Sequence, residues 1–194
     1  MVKATVDKWK LKKWFEVIAP ALFKEKHLGD TAANDYRLLI GRIVEVALSE
    51  LTDDSKLQRI KLRFRIHEVK GERALTNFLG HVITGDYEHS LVRRRTSKIY
   101  SNQTVQTKDG QKVVVKCFII TMDKINQARR NALRLKLTQS IDSIAKTENF
   151  EDFVNSVLYG KLSAQAKKDL HKIYPVRHVV IQKTEISQAM PEAK

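Results

Sequence analysis

The sequence is poor in the residues that build covalent, metal-bound and membrane-spanning structures. It has one cysteine, Cys117, among 194 residues. A single cysteine excludes an intrachain disulfide and any zinc site that needs several thiolates. No stretch approaches the ~20 consecutive apolar residues of a membrane span, and the N-terminal residues lack the pattern of a secretion signal. We therefore expect a soluble protein of a reducing compartment, in which Cys117 is a buried, unreactive thiol.

Recognisable catalytic motifs are also missing. The seven glycines form neither a Walker A loop nor a GxGxxG fingerprint, and the six histidines form no HExxH. His81, Asp86 and His89 would form a metal or acid–base site only if a loop folded back onto a strand. We predict no catalytic residue, no cofactor and no metal. An RNA-modifying or RNA-cleaving enzyme that uses His81 or Asp86 stays as a third alternative.

Positive charge is what the sequence has in excess. There are 36 Lys and Arg against 22 Asp and Glu, giving a net charge of +14 and a pI of about 9.9. Such a balance on a folded domain is typical of proteins that bind polyanions. Half of the excess falls in residues 55–100, with eleven basic and four acidic side chains. Residues 27–54 reverse the sign, and would either meet a basic protein neighbour or face solvent.

One predicted strand has a cationic face. Residues 60–67 alternate strictly between apolar and basic side chains: Ile60, Leu62, Phe64 and Ile66 against Lys61, Arg63, Arg65 and His67. A period of two predicts an antiparallel strand with one buried and one wet face. Its cations repeat every ~6.6–7 Å, close to the phosphate step of an extended nucleic-acid strand. We therefore predict that Lys61, Arg63 and Arg65 contact phosphates.

The remaining patterns predict an α+β fold. Further strands are expected at residues 41–48, 74–84, 98–107, 111–121 and around 179–183, and helices at residues 87–94, 124–146, 150–159 and 164–171. Asp109-Gly110 between two β-rich runs indicates a hairpin, and Gly80 indicates a bulge or a close backbone approach. Asp86, Asn149 and Ser163 are the predicted helix caps. We expect a curled, barrel-like antiparallel or mixed sheet, flanking helices in the C-terminal third and a returning C-terminal strand.

We expect one domain over residues 12–186, a basic arm at 1–11 and a short polar tail at 187–194. Trp14 is predicted to pack in the core, while Trp9 is equally compatible with core packing and exposure. Arg129 and Arg130 fall in the first turns of a predicted helix, where cations oppose the helix dipole and suggest an external partner. The full set of predicted RNA-binding residues is Lys8, Lys10, Lys12, Lys13, Lys61, Arg63, Arg65, Arg93, Arg94, Arg95, Arg129 and Arg130.

Several segments, in order, resemble one family of ribosomal proteins. They are residues 12–23 (KKWFEVIAPALF), Gly41-Arg42, residues 76–81 (TNFLGH), residues 90–94 (SLVRR), residues 107–110 (TKDG) and Ile173-Tyr174-Pro175. The chain resembles the archaeal and eukaryotic small-subunit ribosomal proteins of the S-three-A-e family, also called the eukaryotic-type S-one family. It lacks the internal repeat expected of the bacterial S-one protein.

The resemblance implies a non-catalytic component of the small ribosomal subunit, with a β-barrel-like domain and flanking helices. It implies a place on the platform near the messenger exit, in the cytoplasm. The implied partners are the 3′ region of small-subunit ribosomal RNA, neighbouring ribosomal proteins and messenger RNA at the exit, with no membrane and no homo-oligomer. The chain ends soon after its last strand, which favours an archaeal member. A stand-alone RNA- or DNA-binding regulator is the second alternative.

Overall fold

The computed structural model describes residue 9 and residues 12–186. Its strands are β1 (Lys13–Ile18), β2 (His27–Ala33), β3 (Ile43–Ala47), β4 (Ile60–Lys70), β5 (Arg73–Ile83), β6 (Lys98–Gln106), β7 (Lys112–Thr121) and β8 (Val176–Ile186). Its α-helices are α1 (Leu48–Thr52), α2 (Gly85–Leu91), α3 (Gln127–Thr147), α4 (Phe150–Leu158) and α5 (Lys161–His171). Within this part of the chain, no helix combines the length and the apolar character needed to cross a membrane.

The strands form one mixed sheet that branches at β5. β4 pairs antiparallel with β5 along nearly its whole length. On the other edge, Arg73–Leu75 pair in parallel with β1, and Gly80–Val82 pair antiparallel with β8. One branch therefore runs from β5 to β1 and β2, and the other from β5 through β8 and β7 to β6. The described outer strands β2, β3 and β6 each have one partner, so the sheet is open. The predicted α+β fold is confirmed.

Two hydrophobic cores lie on the same side of this sheet and meet at α4. The first packs β6, β7 and β8 against α3 and α5. The second core is formed by the five strands β1, β2, β3, β4 and β5 together with α1. It includes the ring contacts of Phe64 with Phe23 and Phe78. Phe153 and Val157 of α4 belong to the first core, whereas Val154 and Leu158 belong to the second. Because adjacent helical positions differ by about 100°, one short helix can serve both cores.

Gly80 lies where β5 pairs with β8. Its φ is 143°, and a Cβ there would lie 1.9 Å from the carbonyl oxygen of Thr184. Leu79 is an extra residue in β5, because Arg63 pairs with Gly80 and Phe64 with Phe78. The predicted bulge and close approach are confirmed.

The sequence misplaced several local details. Ser163 lies inside α5, which begins one residue after Gly160 in the left-handed conformation. Asn149 occupies the N-cap position of α4, but the capping acceptor is Asp109 Oδ2, 2.7 Å from the Phe150 nitrogen. Asp86 lies in the first turn of α2, after the N-cap Thr84. The capping partner of α4 was missed because Asp109 is distant in sequence and leaves no local signal.

Substitution of Gly80 tests the branch point. We expect Gly80→Ala to lower the free energy of unfolding by roughly 2–4 kcal/mol, because the new Cβ would strain the backbone and collide with Thr184. Urea unfolding followed by circular dichroism measures the change. Gly85→Ala is the matched control, because a Cβ there meets nothing within 4 Å. Equal stability of the two variants would contradict the close approach.

Candidate nucleic-acid interface

The predicted cationic strand is β4, and its two faces differ as the alternation requires. Leu62, Phe64 and Ile66 are fully buried. Lys61 is exposed, and Arg63 and Arg65 are half-buried. The three cations therefore project from the side of the sheet opposite the second core.

Neighbouring strands extend this cationic face, which the sequence did not indicate. Directly paired residues point to the same side of a sheet. Gly80 pairs with Arg63 on one side and with Glu185 on the other, and Lys183 of β8 pairs with Lys116 of β7. We call the resulting set of five side chains the cationic sheet face: Lys61, Arg63, Arg65, Lys116 and Lys183.

Acidic residues neutralise only part of this face. Arg63 Nε lies 3.1 Å from Glu45 Oε1, and Lys116 Nζ lies 3.2 Å from Glu185, which also bonds to Lys183. The hydrogen bond from Lys183 is the largest of the effects that lower the pKa of Glu185. Among the residues that the structure describes, no carboxylate lies within 4 Å of the charged groups of Lys61 or Arg65. The face keeps a positive balance of three.

A second cationic surface forms at the end of the sheet where β6 begins and β7 ends. Arg93, Arg94 and Arg95 are exposed in the turn after α2, which ends at Leu91 and so does not reach the predicted residue 94. Val92, the residue that follows α2, is exposed. Arg95 has a φ of 66°, in the left-handed region that non-glycine residues rarely adopt.

The start of α3 joins the same surface through Ser97. The hydroxyl oxygen of Ser97 accepts hydrogen bonds from Arg130 Nη2 at 3.3 Å and from the Ile125 nitrogen at 3.2 Å. The Arg129 guanidinium lies 5.5 Å from the centre of the Tyr174 ring. The first turn of α3 carries no acidic residue, so the positive helix end adds to these arginines. We call this set the arginine end: Arg93, Arg94, Arg95, Arg129 and Arg130.

Electrostatics around His178 reflect the charge at this end. Burial is the largest effect that lowers the pKa of His178, and the charges of Lys167, Arg177 and Arg93 lower it further. The structure thus brings two of the predicted arginine groups together and adds Arg177.

The predicted N-terminal lysines lie elsewhere. Lys13 is the first residue of β1, and the last residues of β1 pair in parallel with the first residues of β5. The arginine end instead follows the last residues of β5 along the chain. The Nζ of Lys12 lies 4.2 Å from the centre of the Trp9 ring. Trp14 is 62% exposed, so its predicted core position is wrong. Phe15 takes the inward position, because neighbouring strand residues face opposite sides. Lys8 and Lys10 lie outside the described residues.

The candidate catalytic histidine has a structural role. His81 is buried, its Nδ1 lies 2.7 Å from the Thr184 hydroxyl, and its Nε2 lies 3.2 Å from the carbonyl oxygen of Ile181. Burial lowers the pKa of His81 to about 4, although the bond to Ile181 opposes this. A neutral ring that accepts from Thr184 and donates to Ile181 satisfies both nitrogens and ties β5 to β8. Within the described ranges, no His, Cys, Asp and Glu cluster could hold a metal ion.

Comparison with known proteins identifies the family. A sequence model of the ribosomal S3Ae family matches residues 1–189. The chain belongs to this family. It is 41% identical over 180 residues to the small ribosomal subunit protein eS1 of Saccharolobus islandicus strain L.S.2.15, covering 93% of this chain and 86% of the relative. It is 40% identical over 186 residues to the protein of the same name from Sulfurisphaera tokodaii, covering 96% of each. The resemblance drawn from the ordered motifs is confirmed.

A buried ion pair beneath α2 stands out in this S3Ae-family chain. Glu88 of α2 bonds to Lys98 of β6, and accepts hydrogen bonds from Gln182 Nε2 at 2.6 Å and Tyr100 at 3.3 Å. The side chains of Glu88 and Lys98 are only 12% and 16% exposed. The ammonium of Lys98 also lies 4.5 Å from the centre of the Phe118 ring. This cluster anchors α2, and hence the start of the arginine turn, to the sheet.

The protonation of Glu88 links this cluster to pH. Burial alone would raise the pKa of Glu88, but the hydrogen bonds and charge of Lys98, with Gln182 and Tyr100, outweigh it and lower the pKa. A depressed pKa in the folded state gives stability that is fully present above the ordinary value of 4.5. That stability is lost as the pH falls through the folded-state pKa.

Removal of the carboxylate tests the cluster. We expect Glu88→Ala to lower the free energy of unfolding by roughly 3–5 kcal/mol at neutral pH, because it leaves a buried ammonium unpaired. Glu88→Gln should make stability less dependent on pH below about 4.5. Urea unfolding measured from neutral to acid pH reads both effects. Glu68→Ala is the control, because its ion pair with Lys70 is exposed and should contribute about 0–1 kcal/mol. Equal losses for Glu88→Ala and Glu68→Ala would contradict the assignment.

Proposed function

We propose that this chain is a non-catalytic structural component of the small ribosomal subunit and binds small-subunit ribosomal RNA. The ribosomal role is supported by its relatives, which are small ribosomal subunit proteins. The observation that supports RNA as the ligand is the cationic sheet face, where five basic side chains meet only two acidic ones. Such a face suits phosphates, which arginine holds with a planar fork and lysine attracts as a point charge.

The mode of binding that the geometry favours is recognition of backbone and shape. Lys61 and Arg65 repeat along β4 and carry no carboxylate partner among the described residues. They are free to displace the counterions of a phosphate chain, which gives binding a steep dependence on salt. Phosphate contacts fix register and carry no base information directly. Lys12, Lys13 and the arginine end add separate cationic points around the sheet, as expected of a protein that touches several RNA segments.

A different surface suits a protein neighbour. The segment between β2 and β3 exposes Tyr36, Leu38 and Ile40, with Leu38 64% exposed, while Leu39 anchors it in the second core. Residues 27–54 carry six acidic and two basic side chains. Exposed apolar side chains on an acidic stretch of the chain favour a protein partner that is basic, and ribosomal proteins that bind RNA are expected to be basic. We propose such a protein as the occupant. A position on the platform near the messenger exit and the 3′ region of the RNA remain part of the proposal.

Salt-dependent RNA binding is the first test. We expect Lys61→Ala, Arg63→Ala and Arg65→Ala together to flatten the plot of log affinity against log salt concentration by roughly 2–3 units. The triple variant should also enter small subunits poorly while its melting temperature stays near that of the parent. Fluorescence anisotropy with ribosomal RNA fragments and sucrose-gradient cofractionation measure the two effects.

A charge-matched control separates position from total charge. Lys70, Lys146 and Lys161 are exposed and lie outside both cationic surfaces, so their combined substitution by Ala should leave RNA affinity close to the parent value. Equal losses in the two triple variants would show that total charge alone governs binding. A parent chain found in a free pool rather than with subunits would favour the stand-alone regulator.

Substitution in the exposed apolar segment tests the protein contact. We expect Leu38→Ser with Ile40→Ser to reduce incorporation into subunits severalfold, because the partner loses apolar contact area. Affinity for RNA fragments should not change, and stability should change by about 0.5 kcal/mol or less per substitution. Leu135→Ser is the control, since Leu135 is an exposed residue of α3. Normal incorporation of the double variant would contradict the proposed contact.

A further inference from the structure

A groove opens at the end of β4 and β5, beside the cationic sheet face. Its volume is about 600 Å³, and it is widely open to solvent. It lies between the turn that precedes β4 and the start of α2. The backbone nitrogen of Thr84 donates to the carbonyl oxygen of Arg59 at 3.0 Å, and Ile60 pairs with Ile83. The two walls are thus joined by sheet hydrogen bonds, so the groove is preformed.

An arginine side chain lies over an aromatic ring at this groove. The guanidinium carbon of Arg59 lies 4.3 Å from the centre of the Tyr87 ring. Arg59 Nε donates to the carbonyl oxygen of Lys56 at 3.2 Å, which fixes the guanidinium from a second side. Arg59 is exposed, whereas Tyr87 is half-buried. The guanidinium is therefore held close to the ring, and the side chain as a whole remains open to a ligand.

The charges around the groove suit a phosphate on one side of it. Lys56 and Lys61 line the groove and are exposed. Across the described ranges, no carboxylate lies within 4 Å of the charged atoms of Lys56, Arg59 or Lys61. Asp86 lines the groove as well, and repels a phosphate from its own side. Lys61 pairs with Ala47 of β3, whose small side chain leaves its ammonium uncovered.

We propose that this groove binds one unpaired nucleotide of RNA. The base stacks on the Arg59 guanidinium, which is backed by Tyr87, and the phosphate lies against Lys56 and Lys61. Unpaired bases stack readily on arginine planes and aromatic rings, whereas bases inside a duplex have no free face. This assignment rests on the proposed RNA-binding function and deepens it, because it names the kind of RNA and the residue that holds its base. Arg63 and Arg65 then lie in line for the following phosphates.

Conservative substitutions separate stacking from charge. We expect Arg59→Lys to weaken binding of a fluorescein-labelled single-stranded RNA of about ten nucleotides at least ~5-fold, and Tyr87→Leu to do the same. Arg59→Lys keeps the charge, so the salt dependence should not change. Tyr87→Phe keeps the ring and should bind like the parent. Arg73→Lys, at the opposite end of β5, is the matched control. Anisotropy titrations measure affinity, and melting temperatures verify that each variant is folded.

Competition and crosslinking identify the ligand class and the place of contact. Unlabelled single-stranded RNA should displace the probe far better than a duplex of equal length or polyglutamate. Ultraviolet irradiation of the complex should attach RNA to the peptide that contains Arg59 or Tyr87. Equal competition by the duplex or by polyglutamate, or crosslinks confined to other peptides, would overturn the proposal.

The outcomes also separate this site from the general function. If Arg59→Lys binds like the parent while the triple variant of β4 binds weakly, the groove is not a nucleotide site and the cationic sheet face still binds RNA. If the parent chain binds no RNA at any salt concentration, both proposals fail.

Discussion

β5 is bonded to three other strands, and both halves of the fold take their positions from it. Its first residues pair with β1 and its last with β8, while β4 covers its other edge. At the junction with β8, the bonds between His81 and Thr184 hold the two backbones so close that a side chain at position 80 would collide with Thr184. The short helix α4 packs against both branches of the sheet, at the place where the two cores meet. A change at this junction therefore reaches both cores and the face above them.

The placement of the helices explains why a basic face is left open. α3, α4 and α5 cover the apolar side of the sheet, and among the described residues α2 covers the far end of the opposite side, where it packs over Phe118, Ile120 and Val180. The cations of β4, β7 and β8 consequently remain accessible. Along β4, apolar and charged side chains are thus sorted to opposite sides by strand alternation, so stabilising the fold and exposing positive charge make no competing demands on the same positions.

Patterns with a short period were predictable from the sequence. The alternation in β4 and the hairpin at Asp109-Gly110 depend on residues within a few positions of one another, and the close approach at Gly80 was indicated by the glycine itself, although its neighbour Thr184 is distant in sequence. Features that depend on distant partners were missed. The Glu88–Lys98 cluster recruits Gln182 from β8, and Lys116 and Lys183 join the basic face only through strand pairing. Arg59 was missed because the aromatic ring that it contacts, Tyr87, is 28 positions away. The core position predicted for Trp14 was wrong for a simpler reason. Apolar neighbours in the sequence do not decide which of two adjacent strand residues faces inward.

The state of Cys117 has a practical consequence for studying the particle that this chain joins. It is the single cysteine in the sequence, it is buried in β7, and burial raises the pKa of its thiol to about 12. A thiol in that state reacts slowly with alkylating reagents, because the thiolate is the nucleophile. A cysteine introduced at an exposed position would therefore be the preferred site of attachment for a dye, a spin label or a cleavage reagent, without removal of the native residue. Distances inside an assembled subunit can therefore be measured from labels on introduced cysteines, with Cys117 left in place.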